Sequence, residues 1–370
     1  MRPLGNASAG GYDQTSPGPP ANRSMARREG DELPGRVFIT RPIPEPGSSI
    51  LRGAADAVGA NPEDRALSAD ELRAAAAGVD ALVCLLTDEV DASILEAAPG
   101  LRVVATVSVG YNHIDVDAAT RLGIAVTNTP GTLTECTADL TWALILGVAR
   151  RVAEGDRAMR AGAFPGWGMA YMLGGEVHGS TLGLVGPGAI AQAVARRAIG
   201  FGMRLLYAGR RASSEMEAIG GERVEFDVLL AESDFVSLHV PLSTETKHLI
   251  DAGALSRMKK TAYLINTSRG PVVDEPALVR ALQSGTIAGA GLDVYEDEPR
   301  AAEGLVDCPN TLLLPHLGSA TGATRSAMAL KAAENVAAAL RGDSPPDLVN
   351  PEAWPAARGR PLRSPEVRTP

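Results

Sequence analysis

Residues 181–198 read TLGLVGPGAIAQAVARRA, a short apolar run followed by a glycine-rich turn and an alanine-rich helical segment. The turn holds Gly186, Gly188 and Ala191 in the pattern G-x-G-x-x-A. Glycines at the first two positions permit a tight turn and a close approach of the backbone to a pyrophosphate, while a small third residue lets the helix pack against the strand. The phosphate would lie at the helix N-terminus. The stretch therefore predicts a dinucleotide-binding strand, turn and helix, although a plain glycine-rich turn would have a similar sequence.

Four residues near this turn bear on the choice of cofactor. Pro187 removes one amide donor and Ala189 offers no side-chain contact to phosphate, so both are expected to weaken binding. After the next apolar run the chain reads AGRRASS, which places Arg210 and Arg211 where an NAD enzyme carries a carboxylate for the ribose hydroxyls. Guanidinium groups suit a 2′-phosphate, which favours NADPH over NADH. Two solvated arginines on a surface loop are the alternative interpretation.

Short apolar runs alternate with alanine-rich helical segments on both sides of this unit. A parallel sheet covered by helices on both faces has this pattern, so the predicted fold class is α/β. Four strands are predicted in the first part of the chain, at RVFIT from Arg36, ALVCLL from Ala81, VVATVSV from Val103 and IAVTNT from Ile124. Six more are predicted later, at TLGLVG from Thr181, RLLYAG from Arg204, DFVSLHV from Asp234, AYLINTS from Ala262, AGAGLDVY from Ala288 and TLLLPH from Thr311. Six strands suit a dinucleotide-binding sheet.

Three further segments complete the organisation of the chain. A long helical stretch from about Thr137 is apolar on more than one side in its first half, so it is expected to be buried between domains or at a subunit interface. Residues 1–34 are rich in Gly, Pro, Ser, Asn and Arg and predict a disordered tail, with a transit peptide as the alternative. Residues 351–370 are expected to be a similarly loose tail.

Length, charge and cysteine content limit the classes of function. The 370 residues suffice for two domains, and 35 Lys and Arg against 44 Asp and Glu give a net charge of −9. No basic surface for nucleic acid or an anionic membrane is therefore expected, and residues 140–149 are too short an apolar run for the ~20 residues of a membrane span. Cys84, Cys136 and Cys308 are odd in number and lack C-x-x-C spacing, which favours a reduced, cytoplasmic protein. We expect a small-molecule partner.

Three polar residues lie at or just beyond the ends of predicted strands in the second series. Arg269 ends one strand in NTSRG, Glu298 follows another in YEDEPR, and His316 ends TLLLPH. Open α/β sheets bind ligands at the carboxyl ends of their strands, so the three side chains are expected to meet in one site. Taken singly, Arg269 would suit a surface ion pair, Glu298 an exposed acidic run, and His316 a core histidine. The other histidines, at His113, His178, His239 and His248, show no metal-ligand spacing, so no metal site is predicted.

The motifs NTSRG, GLDVYEDEP and PHLGSAT, with SVGYNHID at residues 108–115, resemble the D-isomer-specific 2-hydroxyacid dehydrogenase family over about residues 36–350. SVGYNHID, Arg210 and the closing LRGDSPPDLVN are similar to glyoxylate and hydroxypyruvate reductases in particular. The resemblance implies two Rossmann-like, doubly wound parallel-sheet domains with the active site in the cleft between them. Residues 35–134 and 322–350 would form a flavodoxin-like substrate-binding domain, and residues 135–321 the dinucleotide-binding domain. A homodimer formed through the stretch after Thr137 is also implied.

The resemblance implies NAD(P)H-dependent reduction of a small 2-oxo acid, glyoxylate or hydroxypyruvate, to the 2-hydroxy acid. His316 would donate a proton to the carbonyl oxygen, Glu298 would hold that ring and favour its charged form, and Arg269 would bind the 2-oxo acid. Hydride addition to a carbonyl builds negative charge on oxygen, which an imidazolium both stabilises and protonates. A guanidinium supplies a planar fork that matches a carboxylate.

Further contacts follow from the same resemblance. The backbone amides of Val109 and Gly110 would hold the substrate carboxylate, Trp167 would insert its indole into the partner subunit's pocket, and Asp293 would accept a hydrogen bond from the nicotinamide carboxamide. The predicted cofactor-binding residues are Gly186, Gly188, Ala189, Ile190, Ala191, Arg210, Arg211, Val240, Pro241, Thr267, Asp293, His316 and Gly318.

Two alternatives remain open at this point. One is a dehydrogenase for another D-2-hydroxy acid, such as D-lactate or 3-phosphoglycerate, although SVGYNHID lacks the basic residues that a phosphorylated substrate would need nearby. The other is a nucleotide-sensing corepressor or scaffold, because the same fold also serves such proteins. These proteins keep the same three polar residues, so turnover distinguishes them from enzymes. A formate dehydrogenase is disfavoured, since that group has a glutamine where Glu298 stands.

Overall fold

Two parallel sheets organise residues 35–358, the part of the chain that a computed structural model describes. The strands of the first sheet are β1 (Arg36–Ile39), β2 (Ala57–Ala60), β3 (Ala81–Cys84), β4 (Val103–Thr106) and β5 (Ala125–Thr127). Their spatial order is β2-β1-β3-β4-β5. The helices between them are α1 (Gly47–Ala54), α2 (Ala69–Ala77), α3 (Ala92–Glu96) and α4 (Val116–Arg121).

Two helices link this sheet to the second, α5 (Thr134–Ala149) and α6 (Val152–Arg160). The second sheet contains β6 (Thr181–Val185), β7 (Arg204–Ala208), β8 (Glu222–Arg223), β9 (Phe235–Leu238), β10 (Tyr263–Asn266), β11 (Gly289–Leu292) and β12 (Thr311–Leu313). Their order is β12-β11-β10-β9-β6-β7-β8. The helices between them are α7 (Ala189–Ala198), α8 (Ser214–Ala218), α9 (Phe226–Glu232), α10 (Ala252–Arg257) and α11 (Glu275–Gln283). Short 3-10 turns span Ile199–Phe201 and Gly270–Val272.

Burial on both faces explains why the central strands have continuous apolar sequences. Every residue of β3, β4, β9, β10 and β11 is buried. Helices on both faces of a parallel sheet remove its side chains from water, so alternation of polar and apolar residues is lost. Glycine in β11 lets α5 lie close to the sheet, since a Cβ on Gly291 would come within 3.0 Å of Leu144 Cβ. The predicted α/β class with two parallel-sheet domains is confirmed.

The last long helix, α12 (Gly322–Arg341), returns to the first sheet. Its Met328, Ala332 and Val336 share a buried core with Val37 and Val103. The strands of the first sheet lie between residues 36 and 127 and those of the second between residues 181 and 313. The exact domain limits at residues 134, 321 and 350 stay predictions.

Four features differ from the sequence-based expectation. β2 was not predicted because AVGA is small and mostly exposed, and β8 was missed because it has only two exposed residues. The long helical stretch is two helices, because Arg151 between them adopts a left-handed backbone conformation with φ of 53°. The predicted loose tail is wrong for residues 351–358, which form a 3-10 turn (Pro351–Ala353) and α13 (Trp354–Arg358).

This last segment is short, and its buried side chains hold it against the first domain. Trp354 and Ala357 join the core of the first domain, with 8% and 0% exposure. The tail and transit-peptide hypotheses for residues 1–34, and the loose tail over residues 359–370, lie outside the described residues. Among residues 35–358, no helix combines the length and apolar character that crossing a bilayer requires.

Candidate active site

A cavity of about 610 Å³ lies where the strands of both sheets end. Its first-domain lining comes from the loops after β3, β4 and β5, and includes residues 108–112. Its second-domain lining comes from the loops after β9, β10, β11 and β12 and from Ile190 of α7, and includes residues 239–243 and 267–269. The carboxyl ends of parallel strands are the ligand-binding edge of open α/β sheets, so this cavity is the candidate active site.

His316 and Glu298 form a hydrogen-bonded pair at this cavity. Nδ1 of His316 lies 2.8 Å from Oε2 of Glu298, and both side chains are about one-quarter to one-third exposed, at 26% and 31%. His316 lines the cavity, and its contact with Glu298 occupies Nδ1, which leaves Nε2 as the ring nitrogen available to a ligand. Burial raises the pKa of Glu298, but the hydrogen bond and charge of His316 outweigh it and lower the pKa below its usual value. Glu298 is therefore an anion at neutral pH.

Backbone contacts hold His316 in an uncommon conformation. Its φ of 54° is left-handed, a region that few residues other than glycine adopt and in which asparagine, aspartate and histidine are the most frequent of the others. The amide of His316 donates to the carbonyl oxygen of Asp293 at 2.9 Å. The carboxylate of Asp293 accepts from the amides of Leu317 at 2.6 Å and Gly318 at 2.8 Å. Asp293, whose pKa burial raises, thus fixes the turn that presents the imidazole.

Arg269 reaches the cavity from the end of β10 without a carboxylate partner. Its Nη1 donates to the carbonyl of Ser268 at 2.7 Å, and its Nε donates to Oδ1 of Asn112 at 3.0 Å. Within residues 35–358 no Asp or Glu lies at ion-pair distance from this guanidinium, although the charge of Glu298 acts on it. Burial lowers the pKa of Arg269, an effect that Glu298 opposes. A half-buried cation of this kind is suited to an anionic ligand.

The loop after β4 is fixed by side-chain hydrogen bonds. Ser108 Oγ donates to the carbonyl of Gly110 at 2.5 Å, and Thr106 Oγ1 lies 3.0 Å from Nε2 of His113. Asn128 Nδ2 donates to the carbonyl of Val109 at 2.7 Å. Burial, with the charge of Arg269, lowers the pKa of His113 to about 4, so this ring is neutral and structural at neutral pH.

The glycine-rich turn has the shape that a dinucleotide phosphate requires. Gly186 has φ of 93°, and a Cβ on it would come within 2.7 Å of the carbonyl oxygen of His239 and 2.8 Å of Val240 Cγ1. Gly188 is the N-cap of α7 and has no atom near its absent Cβ, and no side chain caps the helix. Exposed amides at a helix N-terminus bind phosphate, so these residues fit a nicotinamide dinucleotide.

The arginines after β7 are exposed beside this turn. Arg210 and Arg211 both face solvent, and Arg223 donates to the carbonyl of Gly209 at 3.2 Å. Pro187 packs against Gly209, because a Cβ there would lie 2.6 Å from Pro187 Cδ. The charge of Arg210 also contributes to lowering the pKa of Glu245, after hydrogen bonds with Ser243, its own backbone and Thr244. Three guanidinium groups therefore surround the end of β7.

The structure brings most of the predicted site residues to one cavity. The predicted residues that line it are Val109, Gly110, Ile190, Val240, Pro241, Thr267, Arg269, Asp293, His316 and Gly318. Ala189 begins α7 and Ala191 is buried beneath the turn. Trp167 does not line the cavity of its own chain and is 83% exposed.

Several lining residues were not singled out from the sequence. They are Leu86, Tyr111, Asn112, Asn128, Leu133, Thr137, Leu242, Ser243, Ser268, Ser319 and Met328. Asn112 and Tyr111 lie within SVGYNHID, so the quoted motif contained the signal. Met328 belongs to a helix more than 180 residues away from that motif and carries no local signal. Among residues 35–358, no cluster of His, Cys, Asp or Glu has the arrangement of a metal site.

His239 is expected to make stability depend on pH. Burial lowers its pKa from 6.5 to about 3, and its Nε2 lies 2.9 Å from Ser237 Oγ. Because the unfolded chain then binds the proton more readily, folding stability should fall as pH drops below 6.5. Urea denaturation from pH 7 to pH 5 should show a falling midpoint, and His239→Gln should make the fall shallower by removing one of two such rings, the other being His113. Equal pH dependence in both proteins would refute a neutral His239.

Comparisons with known proteins identify what this chain is similar to. Residues 142–318 match the model of the D-isomer-specific 2-hydroxyacid dehydrogenase NAD-binding domain. A glyoxylate reductase of Korarchaeum cryptofilum is 52% identical over 324 residues, covering 86% of this chain and 96% of that protein.

Solved structures extend the likeness to both domains. A protein from Thermus thermophilus is 44% identical with a TM-score of 0.79, covering 85% of this chain and 99% of that chain. An NADPH-dependent glyoxylate/hydroxypyruvate reductase from Sinorhizobium meliloti is 32% identical with a TM-score of 0.74, covering 86% and 98%. The chain therefore belongs to the D-isomer-specific 2-hydroxyacid dehydrogenase family of NAD(P)-dependent oxidoreductases.

Proposed function

We propose that this protein uses NADPH to reduce a small 2-oxo acid, glyoxylate or hydroxypyruvate, to glycolate or D-glycerate. The proposal rests on one observation. The His316–Glu298 pair and Arg269 lie at the same cavity, beside the glycine-rich turn. The Korarchaeum cryptofilum relative is named a glyoxylate reductase, and the Sinorhizobium meliloti structure is of an NADPH-dependent reductase of both substrates, which supports the choice of reaction.

Each polar side chain has one task in this reaction. When bound, NADPH would supply the hydride for the carbonyl carbon, and the turn at Gly186 and Gly188 would hold its pyrophosphate. Arg269 binds the carboxylate with the amides of Val109 and Gly110, and so orients the carbonyl. His316 donates the Nε2 proton to the carbonyl oxygen as negative charge develops there, and Glu298 stabilises the charged ring through Nδ1. Asp293 keeps the turn of His316 in place, and we expect its carboxylate to accept a hydrogen bond from the nicotinamide carboxamide as well.

The charge of the cavity supports a small substrate with one anionic group. Arg269 is the only Arg or Lys among the described residues that line it. A phosphate on the substrate would need further cations, as P–O oxygens are bound most strongly by guanidinium or ammonium groups. Leu86, Leu133 and Met328 provide an apolar lining instead. We therefore place 3-phosphoglycerate outside the substrate range.

Initial rates of NADPH oxidation with four acceptors test the function. Glyoxylate and hydroxypyruvate should be reduced with at least about tenfold higher kcat/KM than pyruvate or phosphohydroxypyruvate, the 2-oxo acid of 3-phosphoglycerate. A preference for the phosphorylated acceptor would overturn the assignment. Cofactor binding without turnover of any acceptor would favour a sensing role instead.

The arginines after β7 are expected to set the cofactor preference. A double Arg210→Ala, Arg211→Ala variant should raise KM for NADPH roughly tenfold or more, because charge-assisted hydrogen bonds to phosphate contribute about 1.5–3 kcal/mol. KM for NADH, which has no 2′-phosphate, should change little. Arg257→Ala, which removes an exposed guanidinium paired with Asp227 elsewhere, is the control. A wild-type enzyme that prefers NADH would contradict this part of the proposal.

We further propose a homodimer, formed through α6 and the segment that follows it. Large apolar side chains are exposed throughout this region, at Val152 (57%), Met159 (62%), Phe164 (47%), Trp167 (83%), Met169 (82%) and Leu173 (67%). Exposed apolar surface of this extent is typical of protein interfaces. Within the dimer, Trp167 would enter the pocket of the partner subunit.

Light scattering tests the dimer. Wild-type protein should have twice the mass of the chain, and Val152→Glu with Met159→Glu should shift it to one chain. Ile199→Glu, at a site 60% exposed but outside the region, is the control and should leave the mass unchanged. A monomeric wild type would rule the dimer out.

The cysteines indicate the cell compartment in which the enzyme works. Cys84 and Cys308 are buried and free, and burial raises the pKa of both thiols. Thiols of this kind suit a reducing compartment. We propose a cytoplasmic location.

A further inference from the structure

The side chain of Arg269 crosses from the second domain to the loop of the first. Its Nε donates to Oδ1 of Asn112 at 3.0 Å, across 157 positions of sequence. Its Nη2 lies so close to Gly110 that a Cβ on that residue would overlap it. Within residues 35–358, Nη1 donates to its own loop, at Ser268, and Nη2 has no hydrogen-bond partner. Among the described residues, Asn112 thus provides the one side-chain hydrogen bond that holds the guanidinium on the far side of the cleft.

Asn112 is presented by a loop that is fixed on both sides. The carbonyl of Val109 accepts from Asn128, the carbonyl of Gly110 accepts from Ser108, and the carbonyl of His113 accepts from the amide of Val90 at 2.8 Å. The His113 ring contacts Thr106. An exposed carboxamide on such a loop has a defined position, so it selects one orientation of a flexible arginine.

We propose that Asn112 is a positioning residue, which aims Arg269 at the substrate carboxylate by a hydrogen bond across the cleft. The inference rests on the proposed function, and it assigns to Asn112 the orientation of the arginine that binds the substrate at the same site. With Nε bound to Asn112 and Nη1 to Ser268, the remaining Nη2 faces Gly110, beside the amides that would share the carboxylate. The same bond joins the two domains, so it also ties the guanidinium of the second domain to the loop of the first.

Steady-state kinetics of Asn112→Ala with glyoxylate test the role. KM should rise about three- to tenfold, because a hydrogen bond from a charged donor at an exposed site is lost, while kcat falls less. The dissociation constant of NADPH should stay within about twofold, since the hydrogen bond of the Asn112 side chain goes to Arg269 and not to the glycine-rich turn. A general loss of structure would change all three quantities together.

Two further variants separate position from structure. Asn112→Gln keeps a neutral carboxamide oxygen as an acceptor for Nε, so KM should return to within about threefold of wild type. Asn61→Ala is the matched control, because Asn61 also uses Oδ1 as an acceptor in the first domain, from the amide of Glu63 at 3.0 Å, and does not line the cavity. If Asn112→Gln is as impaired as Asn112→Ala, or if Asn61→Ala raises KM equally, the positioning role is wrong.

A double-mutant cycle with Arg269→Lys gives the sharpest test. If Asn112 acts through Arg269, adding Asn112→Ala to Arg269→Lys should raise KM by less than about twofold more. Independent, multiplying effects would overturn the inference. The outcomes also distinguish a failure of this inference from a failure of the proposed function. If the wild type reduces glyoxylate and Asn112→Ala leaves KM unchanged, only the positioning role is wrong. If the wild type shows no turnover, the proposed function itself is wrong.

Discussion

Replacing His316 by asparagine is expected to lower kcat for glyoxylate reduction by about 10²–10⁴-fold, the usual contribution of a general acid. Asparagine is the appropriate substitution because it tolerates the left-handed φ of 54° better than alanine does. Its amide also remains able to donate to Glu298, whereas nothing replaces Nε2. The dissociation constant of NADPH, measured by fluorescence titration, should change less than about twofold.

The chain contains a matched control for this variant. His248 also has a left-handed backbone, with φ of 52°, and its Nε2 lies 2.6 Å from Oε1 of Glu296. It does not line the cavity. His248→Asn should therefore leave kcat within about twofold of wild type. If the two variants lose kcat equally, or if His316→Asn loses cofactor affinity in proportion to kcat, His316 is not the proton donor.

Replacing Arg269 by lysine is expected to raise KM for glyoxylate roughly 10- to 100-fold, with a smaller change in kcat. Lysine keeps the charge, but an ammonium group cannot donate in the planar fork, nor can it reach Asn112, Ser268 and a carboxylate at the same time. Loss of one or two charge-assisted hydrogen bonds, at about 1.5–3 kcal/mol, corresponds to this range.

A second substrate shows whether the effect depends on the carboxylate. Methylglyoxal offers a carbonyl group without a carboxylate, so its kcat/KM, though low in wild type, should change by less than about threefold in Arg269→Lys. Arg204→Lys is the control, because Arg204 pairs with Glu222 and Glu232 away from the cavity. An unchanged KM for glyoxylate in Arg269→Lys would show that another group binds the carboxylate.

The sequence predicted the strands that are buried on both faces, because their apolar runs are continuous. It could not predict β2 or β8, whose exposed residues give neither an apolar run nor clear alternation. The break between α5 and α6 could not be predicted either. Arg151 has the left-handed backbone there, and no glycine or proline, the usual indicators of a turn, lies next to it. Trp354 lies in a stretch that resembles a loose tail, because the core that buries it is built from distant parts of the chain.

The site shows the same division between local and long-range information. His316, Glu298 and Arg269 were predicted from their positions at strand ends, since parallel strands bring those ends to one edge. The bond between Arg269 and Asn112 depends on how the two domains meet, which no local pattern encodes. The carboxylate of Asp293 accepts hydrogen bonds from two amides, those of Leu317 and Gly318. This arrangement follows from the turn at His316 and could not be predicted from the spacing of these residues in the sequence.

The central claim is that His316 protonates the carbonyl oxygen while a hydride is transferred within this cavity. A single-turnover experiment tests it most directly: enzyme saturated with NADPH is mixed with glyoxylate, and absorbance of the reduced nicotinamide and formation of glycolate are followed together. The account predicts rapid loss of absorbance with one glycolate formed per NADPH in wild type, and a rate about 10²–10⁴-fold lower in His316→Asn at equal cofactor occupancy. Equal rates in the two proteins, or loss of NADPH without glycolate, would contradict it.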